Sequence, residues 1–398
     1  MVLQNKNPSV ILGLSKHQTN RRGFFHRSRG RNIIPLKRIP QNKVVCEASG
    51  EILEDRKKSG KVRPWPTYRK DTELMAHAFK AGGYERHGER CADCGTRLRF
   101  AECENDNSHF RKLLGANFCK VRLCPMCISR RALKLAVQAH GITHEALRRR
   151  SGLRFIFLTL TVPNVVSDKL SQSITDIFKA WHRLIERSEV SRVLLGSFRA
   201  LEVTYNSERK DFHPHIHALL AVSSDYFKGG YITQSRWLEL WRESARDQSI
   251  VSVDVRAVKP KSQPKEGENP VASAVTEICK YPIKSSDILH PTVLERDKNG
   301  QVVKGKDGKP LRKALPQPTI EQAAEVVVAL HKALHGRRLV QFAGLLAEIH
   351  KELKMDNIDS SSDLVALGGE HEGSCPVCQA GLLEHVYKWV AGVGEYVG

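Results

Sequence analysis

Apolar residues along this chain alternate between strand-like and helix-like spacing. Residues 155–162 are β-branched or aromatic almost throughout and are followed by Pro163, which is typical of an interior strand. Apolar positions at helical spacing follow between residues 170 and 185 and predict a helix with one buried face. Residues 198–206 and 213–220 again have strand character and are joined by a charged turn. The pattern therefore predicts an α+β chain in which these two strands form a hairpin.

The same pattern, together with changes in composition, divides the chain into six segments. Further helices are expected at 237–245, at 271–281 and from 320 to 353, and a further strand at 250–258. The predicted segments are a basic tail that we expect to be disordered (1–70), a Cys-rich zinc-binding module with a basic helix (71–150), a core segment (151–290), a charged insertion (291–318), a helical segment packing on the core (319–356), and a linker with a C-terminal cysteine pair (357–398).

The chain is strongly basic. Its 398 residues include 64 lysines and arginines against 43 acidic residues, which gives a formal net charge of +21. Residues 1–70 alone hold 17 lysines and arginines and four acidic residues. This excess predicts a polyanionic partner, and nucleic acid is favoured over a membrane because no apolar run reaches the about 18 residues of a membrane span. We expect the basic tail to gather phosphates without sequence preference.

Three histidines stand at alternate positions of the strand predicted at 213–220. His213, His215 and His217 would share one face, while the residues between them face an apolar layer. Neutral imidazoles bind divalent metals, and two histidines with one carboxylate leave coordination positions open for substrate oxygens. An antiparallel hairpin would bring Glu202 near His217, so Glu202 is the predicted carboxylate and His213 the competing third ligand. The alternative is a hydrogen-bonded structural cluster.

Cys-x-x-Cys pairs predict a structural zinc site. Cys91 with Cys94, and Cys124 with Cys127, each have the spacing of a zinc knuckle, and the two pairs together would supply four thiolates. The long spacing between the pairs leaves the ligand set open to competing ligands at Cys103, His109 and Cys119. Unrelated free thiols are the alternative interpretation.

A third cysteine pair, Cys375 and Cys378, lies near the end of the chain. It would either form a second half-site or complete the first one. The first residues lack the apolar core of a signal peptide, so we expect a cytoplasmic location in which thiols stay reduced and bind metal rather than form disulfides.

A basic helix is expected directly after the second cysteine pair. Its Arg130, Arg131 and Lys134 would suit contacts with the phosphates of a DNA backbone. The same charges would also suit a solvated face, which is the alternative.

Glu277 and Tyr281 lie four residues apart on the helix predicted at 271–281, so they share one face, with Lys280 and Lys284 beside them. A tyrosine hydroxyl can attack a phosphodiester and keep the broken strand attached as a phosphotyrosine. Because a phenol titrates near 10, a cation such as Lys284 or a histidine-bound metal would have to favour the phenolate. Glu277 could activate the water or sugar hydroxyl that releases the intermediate. Taken alone, such a tyrosine is more often part of a surface ion pair.

Three segments in this order resemble the motifs of a known family. They read FLTLTVPN at 157–164, HPHIHALL at 213–220 and EICKYPIKSSD at 277–287. They are similar to the three ordered motifs of rolling-circle plasmid replication initiators, which belong to the HUH endonuclease superfamily. Segments 118–127 and 334–346 are also similar to family segments, so the resemblance extends over residues 90–350.

The resemblance implies a fold, a chemistry and a set of partners. The fold would be that of HUH endonucleases, a central antiparallel β-sheet with flanking helices, here in residues 151–290 and preceded by the zinc module. His215 and His217 would bind a catalytic Mg²⁺ or Mn²⁺, Tyr281 would be the nucleophile, and Glu277 would serve the closing step. Apart from the resemblance, Lys280 beside Tyr281 is expected to contact DNA. The protein would nick and rejoin single-stranded DNA at a plasmid double-strand origin through a 5′-phosphotyrosine and leave a 3′-hydroxyl primer. Its partners would be that DNA and the host helicase, polymerase and single-strand-binding protein, with no membrane.

Other functions stay open at the level of sequence. The same chemistry would serve a single-tyrosine transposase or relaxase. The alternating histidines also fit a histidine-triad nucleotide hydrolase, which uses a histidine nucleophile and needs no tyrosine. The cysteine pairs and the basic charge would suffice for a zinc-stabilised DNA-binding protein without catalysis.

Overall fold

The computed structural model describes residues 50–57, 60–258, 271–279, 285–305, 308–360, 363–367 and 373–398. All of them fall within one structural unit, Lys43–Gly398. Most of the predicted basic tail lies outside the described residues, as do Lys280, Tyr281 and Lys284. Among the helices that the structure describes, none is long and apolar enough to cross a bilayer.

Helices and strands alternate along the described chain. The helices are α1 (Trp65–Ala81), α2 (Glu85–Asp93), α3 (Pro125–Arg149), α4 (Ser167–Glu186), α5 (Ser188–Ser191), α6 (Gln234–Ala245), α7 (Ala272–Ile278), α8 (Ser285–Leu289), α9 (Ile320–Leu334) and α10 (Leu345–Glu352). The strands are β1 (Arg97–Cys103), β2 (Arg111–Ala116), β3 (Arg154–Thr161), β4 (Leu194–Asn206), β5 (Asp211–Val222), β6 (Val253–Val258), β7 (Thr292–Leu294), β8 (Arg312–Ala314), β9 (Val340–Gly344), β10 (Leu382–Val390) and β11 (Glu395–Val397).

The larger sheet holds the predicted hairpin near its centre. Its strand order is β6-β3-β5-β4-β9, and every strand is antiparallel to its neighbours. In β3, residues 155–158 are all buried, because this interior strand is covered on both faces. The prediction of an α+β fold with an antiparallel sheet and flanking helices is confirmed. Its assignment to the HUH fold stays a prediction.

Alternation along β5 divides the apolar core of this sheet into two layers. Ile216, Ala218 and Leu220 point into the larger layer, as predicted, where they meet the buried face of α4. Leu219 and Ala221 point into a second layer that includes residues of α3, α7 and α10. Because side chains along a strand alternate, His213, His215 and His217 lie on this second face. We call these three residues the histidine row.

A smaller sheet joins the two ends of the described chain. Its strand order is β11-β10-β1-β2, again antiparallel throughout. β1 pairs with β10 over its whole length, from Arg97 opposite Lys388 to Cys103 opposite Leu382. The sheet therefore joins the predicted zinc module to the C-terminal segment, and the C-terminal cysteine pair lies just before β10, although almost 300 residues separate β1 from β10 along the chain.

Of the helical segments predicted from 320 to 353, α9 and α10 are present, but the prediction did not include the strand between them. This strand, β9, pairs with β4, from Val340 opposite Ala200 to Gly344 opposite Gly196. Gly344 has φ +55°, and a Cβ there would lie 2.5 Å from the carbonyl oxygen of Leu195, so the turn from β9 into α10 needs glycine. The apolar residues of this stretch fit helical and strand spacing equally well, which is why periodicity alone did not separate the two.

The structure adds detail to two predicted segments, the basic tail and the charged insertion. Part of the predicted tail is folded, because α1 begins at Trp65, which is buried and donates its indole N–H to the Asp55 carboxylate at 2.8 Å. The segment predicted as a charged insertion contains an exposed two-stranded sheet in which β7 pairs with β8.

Candidate active site

Two histidines and a glutamate converge at the centre of the larger sheet. Oε2 of Glu202 lies 3.0 Å from Nε2 of His217 and 3.4 Å from Nε2 of His215. Glu202 lies near His217, as predicted; in the β4–β5 register it stands directly opposite His215, and its side chain reaches both rings. One candidate ligand atom from each residue lies within 4.8 Å of the other two. The structure therefore brings together the predicted carboxylate and two of the predicted histidines.

Hydrogen bonds behind the two rings aim their Nε2 atoms at Glu202. Nδ1 of His215 lies 3.1 Å from the carbonyl oxygen of His213, and Nδ1 of His217 lies 3.2 Å from the hydroxyl of Thr159. Because a carbonyl oxygen can only accept, Nδ1 of His215 carries the proton and a neutral ring keeps its lone pair on Nε2. That lone pair on Nε2 of His215 lies 3.4 Å from the Glu202 carboxylate. A cation between these two acceptors would remove their repulsion, so the donor set fits a divalent metal.

His213 occupies a different place in the row. Its ring centroid lies 5.1 Å from that of His215, on the side away from His217, and it is not part of the three-residue group around Glu202. Burial, and then the neighbouring His215, lower the pKa of His213. Of the two candidates for the third ligand, the geometry favours Glu202.

Helix α7 places Glu277 on the same face of the sheet as the histidine row. Val275 and Ile278 of this helix are buried in the second core layer, beside Phe157 and Leu219. Oε1 of Glu277 accepts from Nη2 of Arg256 at 3.1 Å. The predicted helix at 271–281 is described as far as Ile278, and Tyr281, Lys280 and Lys284 lie outside the described residues.

A chain of ring contacts links Arg256 to the candidate metal site. The guanidinium carbon of Arg256 lies 4.9 Å from the ring centroid of Phe157, and the Phe157 ring lies 5.6 Å from that of His217. The sequence analysis included Phe157 and Thr159 in the first motif without giving either a role, and it did not single out Arg256. The period of two in β3 was a usable signal, because it puts Phe157 and Thr159 on one face, and the register places Thr159 opposite His217.

Comparison with known proteins assigns the chain to a family. A profile of the family described as "Replication protein" matches residues 110–397. The chain belongs to this replication protein family. It is 34% identical over 361 residues to "Protein rep" of Bacillus amyloliquefaciens, covering 87% of this chain and 97% of that protein. It is also 34% identical over 330 residues to "Protein rep" of Streptococcus pneumoniae, covering 82% and 90% of the two chains. The resemblance to replication initiators is thus confirmed, and no solved structure matches.

The Cys-rich part of this replication protein contains a compact thiol cluster. We call Cys94, Cys119, Cys124 and Cys127 the first cysteine cluster; all four are buried. The Sγ atom of Cys94 lies 3.6 Å from those of Cys124 and Cys127, and Cys119 lies 3.7 Å from Cys127. Zn–S bonds of about 2.3 Å in a tetrahedron place sulfurs about 3.8 Å apart, so the spacing fits zinc.

The cysteines of this cluster differ from the predicted set of two pairs, Cys91 with Cys94 and Cys124 with Cys127. Cys119, expected as a competing ligand, stands inside the group, and its Sγ lies 4.0 Å from that of Cys91. Backbone N–H groups of Cys119 and Lys120 donate to the sulfurs of Cys94 and Cys127 at 3.2 Å, which favours thiolates. Four of the five predicted cysteines thus lie within 4.8 Å of one another, and Cys91 borders this group.

The predicted phosphate-binding residues of α3 point into the interior of the protein. Arg130, Arg131 and Lys134 are buried, with 4%, 4% and 6% of their surface exposed. Arg130 donates to the carbonyls of Leu364 and Val365 at 2.8 and 2.9 Å. Arg131 donates to the carbonyls of Val121 and Lys120. Lys134 contacts the Asp356 carboxylate at 2.7 Å. The DNA-binding role predicted for these residues is therefore not supported by the structure. They hold α3 against neighbouring segments.

Proposed function

We propose that this replication protein initiates rolling-circle replication of a plasmid by nicking one strand of its origin with Tyr281. The observation that carries the proposal is the convergence of Glu202, His215 and His217 on the sheet face against which α7 packs, since Tyr281 follows that helix directly in the sequence. Family membership and the charge of +21 agree with a DNA substrate.

The three-residue group would hold Mg²⁺ or Mn²⁺. A divalent ion there would polarise the scissile phosphate and leave coordination positions open for its oxygens. The bonds of His215 to the His213 carbonyl and of His217 to Thr159 would keep both rings turned toward the ion.

The strand transfer itself would be carried by residues of the third motif. The Tyr281 phenolate would attack the phosphorus, form a P–O bond to the 5′ end and break the bond to the 3′ oxygen, which takes up a proton and leaves as a 3′-hydroxyl. Lys284 would favour the phenolate, and Lys280 would contact the DNA backbone. Glu277 would accept the proton of the hydroxyl that later releases the DNA, and its bond to Arg256 would hold it on the reacting face.

The proposed nicking reaction indicates which host proteins would act with this protein. The freed 3′-hydroxyl would prime a host polymerase, while a host helicase and single-strand-binding protein would handle the displaced strand. The first cysteine cluster would hold a structural Zn²⁺, because its four ligand positions are all filled by thiols. A single-tyrosine transposase or relaxase would share the nicking step, and mapping the cleavage site on a supercoiled plasmid would separate these roles.

The nucleophile can be tested with a single-stranded origin oligonucleotide. With Mn²⁺, the wild-type protein should form a DNA adduct that survives denaturing electrophoresis, and Tyr281→Phe should form none while it still binds the oligonucleotide. Tyr231→Phe is the matched control, because Tyr231 is 63% exposed and lies outside the site. An undiminished adduct with Tyr281→Phe would refute the assignment, and loss of the adduct in both variants would show a general defect.

A further inference from the structure

A second group of metal-binding side chains lies apart from the first cysteine cluster. Cys103, His109, Cys375 and Cys378 each bring one candidate ligand atom within 4.8 Å of the others. We call them the Cys-His cluster. The Sγ atoms of Cys103 and Cys378 are 3.4 Å apart, although the two residues are 275 positions apart in sequence. The smaller sheet creates this group, because it places the end of β1 beside the start of β10.

The two clusters stand at opposite ends of the β1–β2 hairpin. Cys94 precedes β1 and Cys119 follows β2, whereas Cys103 ends β1 and His109 stands in the turn before β2. Seven residues of strand span about 20 Å at about 3.3 Å per residue, so one ion could not serve both groups. The Cys-His cluster is therefore a separate site.

The Cys375–Cys378 turn has the backbone of a zinc knuckle. The N–H of Cys375 donates to the Ala380 carbonyl at 2.8 Å, and the N–H of Gln379 donates to the Cys375 carbonyl at 2.9 Å. Gln379 adopts φ +61°, which reverses the chain after the second cysteine. The N–H of Val377 lies 3.5 Å from the Cys375 sulfur, as expected where a backbone donor faces a thiolate.

The apolar packing around this turn is small. Its buried apolar cluster consists of four residues, Ala101, Cys103, Cys375 and Leu382, and three partly buried residues pack against it, Phe110, Leu114 and Ala380. So few apolar groups bury little surface, and small folded units of this kind are commonly held by a metal or disulfides. His109 lies at the edge of the cluster, where Nε2 is 3.5 Å from the Asp106 carboxylate. A metal ion would supply the stabilisation that the apolar contacts lack.

We propose that Cys103, His109, Cys375 and Cys378 bind a second structural Zn²⁺, which joins the C-terminal β10–β11 hairpin to the β1–β2 hairpin. Three thiolates and one imidazole form a closed tetrahedral set for zinc and leave no position for substrate. The site is structural, and it is independent of the proposed nicking reaction.

Metal content of the full-length protein tests this site. Cys375→Ser/Cys378→Ser should carry one zinc ion fewer per chain than the wild type, measured by elemental analysis and native mass spectrometry. Cys279→Ala is the matched control for loss of a cysteine: Cys279 lies in neither cluster, and burial raises the pKa of its thiol, so the thiol stays protonated. This control should retain the wild-type content.

A second variant keeps the test informative if the double variant folds poorly. His109→Cys should retain the ion and strengthen the sulfur-to-metal charge-transfer absorption of the Co²⁺-substituted protein, while His109→Ala should release one ion more readily to a chelator. Hydrogen exchange in residues 382–397 should rise in Cys375→Ser/Cys378→Ser and not in Cys279→Ala. Equal zinc content in the wild type and the double variant, or a Cys103–Cys378 disulfide in place of the ion, would overturn the proposal.

Discussion

At the scale of single residues, the orientation of the two candidate histidine ligands depends on hydrogen bonds to their Nδ1 atoms. Glu202, His215 and His217 supply the candidate ligand atoms, while Thr159 and the His213 carbonyl hold the two rings in their orientation. A ligating histidine whose second nitrogen loses its partner can rotate and change tautomer, so metal affinity falls even though the ligand remains.

Thr159→Val should therefore weaken metal-dependent nicking while the ligands stay in place. We expect the Mn²⁺ concentration for half-maximal nicking to rise about 10- to 100-fold, which is the usual effect of removing a partner of a metal ligand. Thr161→Val is the matched control: Thr161 stands on the same strand, and its hydroxyl donates to the Ser252 carbonyl rather than to a histidine. Equal metal dependence of the two variants would show that the Thr159 hydroxyl does not position His217.

At the scale of elements, α3 shows that charged side chains can stabilise the packing of a helix inside the protein. The helix is basic in sequence, yet Arg130 lies 4% exposed, with its guanidinium bonded to two carbonyls beyond residue 363. Burial lowers the pKa of Arg130 to about 10, which still leaves it charged near neutral pH. A buried guanidinium that donates hydrogen bonds to two carbonyl oxygens stabilises the contact of its helix and cannot bind a phosphate at the surface.

Arg130→Ala should lower the free energy of unfolding by about 2–4 kcal/mol, because it leaves the carbonyls of Leu364 and Val365 without their donor. Arg148→Ala on the same helix is the control. Its side chain is 67% exposed and pairs with Glu145 at the surface, so this variant should unfold at the same denaturant concentration as the wild type. Denaturant unfolding measures both. A stable Arg130→Ala protein with weakened DNA binding would restore the phosphate-contact role.

At the scale of the whole molecule, the net charge of +21 is unevenly distributed along the chain. Residues 1–49 contain ten lysines and arginines against one acidic residue, whereas the candidate ligand residues of the active site all lie beyond residue 200. The basic charge that we expect to attract DNA and the residues proposed to act on it are therefore in different parts of the sequence. Counterion release makes this attraction strongly dependent on salt.

Removing residues 1–49 should flatten the salt dependence of DNA binding. For every phosphate that the tail no longer neutralises, the slope of log K against log salt falls by about 0.7 on single strands, so the slope should fall by several units. Anisotropy titrations across a range of KCl concentrations measure it, and nicking at low salt should persist. A tail of equal length with its ten basic residues changed to Gln separates charge from length. An unchanged slope in both variants would refute a role for the tail.

The sequence alone determined the elements whose pattern is local. Alternation in β3 and β5, helical spacing in α4, and three ordered motifs were enough for an α+β antiparallel fold and a family. Glu202 could be chosen because a short turn forces β4 and β5 to pair. The alternation of side chains did not specify that its direct partner is His215, because a shift of two residues keeps the same residues on the same face.

Tertiary structure decided what depends on contacts between distant parts of the chain. A strand, β9, formed within the segment predicted to be helical because it pairs with the edge of β4. Arg130 of α3 is buried because the carbonyls of Leu364 and Val365 accept its hydrogen bonds. Cys103 joined Cys375 and Cys378 because β1 pairs with β10. Local spacing records which residues share a face, but which faces meet depends on the packing of the whole molecule.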